Sequence, residues 1–180
     1  MAAGALLHLI AYLASAGIAV VMYPVLSKWH AGLALGAVVF RALEAALYMV
    51  GLVCLLALLP LGRQLATALA ADRAALQAAG AALLSLHNRA ALLGVFAFCV
   101  GAFMYYTLLF QSRLVPRWLS GFGVVAIVLM TTACVLALFS GNRITSYIPL
   151  AAPIAVQEIV LGVWLIVKGF NPPAVASLSA

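Results

Sequence analysis

Arg41 and Glu44 stand one helical turn apart in VVFRALEAALYMVG, residues 38–51, inside an apolar run that extends over residues 31–61. A third ionisable group, Glu158, lies in the last apolar run, ten residues before Lys168. Even on lenient insertion scales a charge at the centre of a membrane span costs about 2.5–3.5 kcal/mol, so such groups find partners. With a rise of about 1.5 Å per residue, Arg41 lies ~15 Å along its helix from residue 31, and Glu44 ~20 Å. Glu158 lies ~15 Å from Lys168. Both distances run from the same membrane face, so Arg41 and Glu158 share a depth on antiparallel helices. The pattern predicts that they pair, and that Arg41 presents its planar fork to one carboxylate while Glu44 takes other donors.

Periodicity supports this. Ala37, Arg41, Glu44, Tyr48 and Gly51 share one helical face, and Ile154, Glu158, Leu161 and Leu165 share another, with Gln157 beside it. Tyr48 and Gln157 are therefore accessory polar candidates. Two acids and one base leave the cluster at net −1 when all are ionised. That composition allows a proton-sensitive or cation-binding site. The plainer reading, a buried cluster that fixes helix register, stands ahead of it.

Other residues that carry chemistry elsewhere have plainer roles here. His8 is a conceivable haem or metal ligand, with His87 expected on the same side of the membrane, yet neither has ligand spacing or a supporting acid. Cys54, Cys99 and Cys134 fall singly in three separate apolar runs, as small buried hydrophobes do. Tyr105 and Tyr106 read as interface aromatics. GLALG, residues 32–36, is a GxxxG suited to close packing within the chain. The sequence contains no GxxxxGK[ST], HExxH or GxSxG motif. Neither a cofactor nor a bound metal is expected.

The elements that must position these groups follow from composition. The chain is 68% hydrophobic and only 7% charged over 180 residues, with a mean hydropathy of +1.27. A soluble domain averages about 25% charged residues and needs them to cover its surface. Lipid is the solvent for most of this chain, and long continuous apolar runs select helices over a β-barrel. The expected fold is an all-α polytopic bundle forming a single integral membrane domain. Its spans fall near residues 4–26, 31–61, 90–110, 119–139 and 146–167, with 62–89 an Ala-rich helical loop at the interface or capping the bundle. The first span lacks a basic start and continues past its A-x-A triplet, so it reads as retained, not as a signal peptide.

The formal charge of +6 would suggest nucleic acid in a soluble protein, but here the basic residues are scattered between apolar runs. No nucleic-acid partner is expected. Four basic residues fall on each membrane face, leaving the positive-inside rule undecided by count. The tight RLVPRW turn, with two arginines directly beside spans, places that face and the C-terminus in the cytoplasm.

Three passages in order, VVFRALEAALYMVG, QSRLVPRWLSGFG and QEIVLGVWLIVKGF, resemble a bacterial family of small multi-span membrane proteins, the domain of unknown function 4386 family. The likeness extends over residues 12–170 and implies an integral membrane location without an assigned activity. It also implies a further N-terminal span and a long first loop, neither of which is evident here. The leading expectation is a non-catalytic bundle of a bacterial inner membrane that binds lipid, a partner membrane protein or a second copy of itself. A small proton- or cation-coupled transporter using Arg41, Glu44 and Glu158 comes second, and an intramembrane enzyme third.

Overall fold

The computed structural model describes residues 2–177, and every regular element among them is helical. In order these are α1 (Ala2–Thr67), α2 (Ala70–Ser112), α3 (Arg117–Ser140), a 3-10 turn (Ile144–Tyr147), α4 (Ile148–Val167) and α5 (Pro172–Ser177). Four of them are long and apolar enough to cross a membrane. The chain is an all-α membrane protein.

The longest element is two rods. His30 has extended backbone angles, φ −154° and ψ 97°, which interrupt the helix. Residues on either side of it then meet: Tyr12 and Tyr48, each eighteen residues from His30, have ring centroids 5.0 Å apart, and Ser15 lies 2.9 Å from Arg41. The two limbs of α1, residues 2–29 and 31–67, are therefore antiparallel, and the bundle contains five long rods. The break is capped by its own residue. The His30 ring nitrogen Nδ1 accepts the Leu33 N–H at 3.2 Å, the geometry of an N-cap side chain satisfying the third amide of a new helix.

Residues 62–89 form no separate loop element. The second limb continues through Pro60 to Thr67, the chain turns at residues 68–69, and α2 starts at Ala70. The limb and α2 run antiparallel along their whole length, from Gly36 beside Met104 to Leu58 and Leu61 beside Gly80. The polar centre that suggests a loop is the tip of a long hairpin. α3 ends at Ser140, and the residues just after it share a cavity with Leu84 and Ser85 of α2. Hence the tip, about residues 62–80, projects beyond the rest of the bundle.

α2 is the central helix and carries a long series of buried residues, whereas α4 buries only Ile154, Gln157 and Leu161. Close approach to α2 depends on glycine, at two places against an aromatic ring. A Cβ on Gly94 would come within 2.7 Å of the Tyr48 ring, and one on Gly123 within 2.6 Å of Tyr106. Packing passes in sequence from the first limb to the second, then α2, α3 and α4, while the first limb and α4 scarcely touch. The outer surface displays Leu6, Val21, Val53, Val125, Ile159 and Ile166 among many exposed apolar side chains, as a lipid-facing belt requires.

Candidate functional site

Arg41 sits on the second limb where four helices converge. Its Nη2 donates to Glu158 Oε1 on α4 at 2.8 Å. Its Nη1 donates to Ser15 Oγ on the first limb at 2.9 Å and to Glu44 Oε2 one turn along at 3.2 Å. The Ser15 hydroxyl lies 3.4 Å from both Glu44 oxygens and can donate to either. The guanidinium carbon lies over the Phe98 ring of α2, 4.5 Å from its centroid, adding a cation–π contact. The structure thus brings Arg41, Glu44 and Glu158 together, with matched depth and shared faces supplying the reason.

The three charges differ in burial. Side-chain exposure is 15% for Arg41 and 6% for Glu44, but 41% for Glu158. Glu44 is sealed between the limbs. Glu158 instead lies on the wall of a groove of about 560 Å³ between the first limb and α4. Ala11, Ala14 and Ile18 line one side, Leu161, Gly162 and Leu165 the other, with Arg41, Tyr105 and Tyr106 also contributing. The groove exists because the first and last rods scarcely pack together, and Arg41 of the second limb bridges them by donating to Ser15 on one side and Glu158 on the other.

The accessory candidates separate. Tyr48 remains near the cluster, stacked on Tyr12 and seated over Gly94. Gln157 does not join it. One residue is about 100° of helix, and Gln157 points into α3, where its Nε2 donates to the Leu119 carbonyl at 3.4 Å. Its Oε1 is buried and accepts no hydrogen bond among the described residues. Tyr105 and Tyr106 are also buried, not interface anchors: they pack edge to face and help to wall the groove. Ser15 and Phe98 escaped notice in the sequence, because a serine or phenylalanine within a span is commonplace. The signal that could find Ser15 is its position opposite Glu44 once the chain reverses at His30.

The histidines serve the backbone. His8 Nδ1 lies 2.9 Å from the Gly4 carbonyl. His87 Nδ1 lies 3.0 Å from the Gly51 carbonyl and so links α2 to the second limb. All three cysteines are buried free thiols, and Gly36 of the GxxxG segment faces Met104 of α2 within the chain.

Chemically, the cluster can hold one guanidinium against two carboxylates and offer one of those carboxylates to a lipid-accessible groove. No curated protein and no solved structure matches the chain. The family model described as domain of unknown function (DUF4386) matches residues 1–169, and the chain belongs to that family.

Proposed function

We propose that the protein is a non-catalytic lipid-binding bundle of a bacterial inner membrane, and that the groove between the first limb and α4 receives a chain of a membrane lipid. The observation that carries this reading is the groove itself, apolar along both walls and interrupted by Glu158. Small residues on the first limb leave room for a chain, and among the described residues Glu158 engages Arg41 through Oε1 and leaves Oε2 without a hydrogen bond. Its Oε2 is available to accept from a polar group on the occupant. A volume of about 560 Å³ lies within the range of ordinary ligand pockets. A bacterial inner-membrane location, with the RLVPRW turn cytoplasmic, is part of the same proposal.

The test is photo-crosslinking in nanodiscs with a phospholipid that carries a diazirine on its acyl chain. Adducts should concentrate on residues 11–18 and 158–165 over the outward belt that includes Val125 and Val128. Gly162 lines the groove and has open space around an added Cβ, so Gly162→Phe should project a ring into it. That variant should lose most groove adducts and keep those on the belt. Uniform labelling of both regions in the unaltered protein sinks the proposal.

A second reading rests on the same open carboxylate. Glu158, unlike Glu44, is accessible from the groove, as a proton- or cation-coupled transporter would need. Liposome flux driven by a pH gradient and abolished by Glu158→Gln favours transport over simple lipid binding.

A further inference from the structure

The membrane face at the C-terminal ends of α2 and α4 has its own cavity, about 570 Å³, separate from the groove. Three cations line it: Arg113 from the turn after α2, Arg117 from the first turn of α3 and Lys168 from the end of α4. No acidic side chain lines it. The whole chain has only three acids, and Glu44 and Glu158 are committed to Arg41, while Asp72 lies at the tip of the hairpin. The cavity therefore holds three positive side chains, and among the described residues no carboxylate lines it to neutralise them.

The wall is firmly built. Leu114 and Val115 are fully buried and pin the 113–116 turn into the bundle. The segment after α4, residues 168–171, is fastened to that turn twice: Asn171 N–H donates to the Leu114 carbonyl at 2.9 Å, and its Nδ2 to the Arg113 carbonyl at 3.4 Å. Arg113 caps α2 in the left-handed region, φ 55°, where glycine is the ordinary choice. A strained position occupied by an arginine is a pointer to use, not to packing. The Arg117 guanidinium lies 5.3 Å from the centre of the Phe110 ring, which limits its freedom. Trp164, against Trp118 at 6.2 Å, completes the lining; tryptophans at span ends are characteristic of the headgroup interface.

We propose that this cavity binds a phosphate group presented at the membrane surface. Guanidinium forks and an ammonium from three separate elements match the several oxygens of a phosphate, and juxtamembrane basic pockets between spans attract anionic headgroups. The phosphate can come from an anionic phospholipid or from a water-soluble phosphate compound. The proposal does not depend on the occupant of the groove.

The experiment is a thermal-shift and native mass-spectrometry series on the full chain in a neutral detergent. It uses three additions: phosphatidylglycerol, phosphatidylcholine and inorganic phosphate. Phosphatidylglycerol should raise Tm and remain bound in the spectrometer, with phosphatidylcholine far weaker. Each of Arg113→Gln, Arg117→Gln and Lys168→Gln should weaken phosphatidylglycerol binding by about fivefold. Arg63→Gln and Arg143→Gln, on the opposite face, should leave it unchanged. Lys168 closes a helix end without a salt bridge among the described residues, so Lys168→Gln tests the site even where an arginine variant misfolds. If inorganic phosphate alone gives the shift and competes with the lipid, the source is soluble. A shift equal for both lipids, or one undiminished in Lys168→Gln, overturns the proposal.

Discussion

Arg41 directs its donors to three helices at once, and the unequal burial of its partners ranks the consequences of losing each. Arg41→Leu strands Glu44 between the limbs and leaves Glu158 without its cation. Breaking a buried pair in this way costs about 3–5 kcal/mol. Glu158→Leu should cost less, because Arg41 keeps Glu44 and Ser15 and the lost carboxylate was partly open. A double Arg41→Leu/Glu158→Leu change would be close to neutral for an isolated pair, but here it still buries an unpaired Glu44. Recovery should require the triple Arg41→Leu/Glu44→Gln/Glu158→Leu. Thermal unfolding in detergent measures the order, and a triple variant no more stable than Arg41→Leu would show that the cluster is not one unit. The pair at the centre was legible in the sequence because charge in hydrocarbon is expensive enough to demand a partner at matched depth. Ser15 was not, because a neutral hydroxyl carries no such demand, and Gln157 was misgrouped because adjacent helical residues face different neighbours.

The helices meet through positions where one added methyl has nowhere to go. Gly123→Ala would drive a Cβ into the Tyr106 ring between α2 and α3, and overpacking of this kind costs about 1–3 kcal/mol. Gly17 and Gly62 have nothing within 4 Å of such an atom. Alanine there should be neutral or stabilise by about 0.5–1 kcal/mol, since glycine is a poor helix residue. Comparable losses of Tm at Gly123 and Gly17 would mean that the α2–α3 contact is looser than described. At the reversal, His30→Ala should cost about 1 kcal/mol through loss of the cap on Leu33, and His30→Asn should retain most of it. The all-helical, multi-span character was legible from hydropathy. The helix ends were not: Pro60 and Gly62 look like terminators, yet the second limb runs on to Thr67 because α2 lies alongside it. Neighbouring packing overrides a weak local preference of this sort.

The molecule as a whole is asymmetric across the membrane. One face carries the hairpin tip with Arg63, Asp72 and Arg73, and the other carries the compact basic cavity beside the RLVPRW turn. A tip of about residues 62–80 standing clear of α3 and α4 should be dispensable for the bundle, because the core contacts of α2 begin near Ala90. Replacing residues 63–78 by a short Gly-Ser turn should therefore preserve insertion and most of the thermal stability. Failure of that variant to fold would mean that the tip is held by contacts other than its own pairing. The same geometry fixes which side each end faces. Ala71 and Gln111 are both exposed and lie at opposite ends of α2, whose 43 residues extend ~64 Å against a ~30 Å hydrocarbon core. Single cysteines at these positions, with the buried native thiols as an unreactive background, should react with a charged maleimide from opposite sides of sealed vesicles. Reaction of both from one side would require α2 to lie along the membrane or re-enter it. Neither arrangement is compatible with the pairing of Arg41 and Glu158 at a common depth.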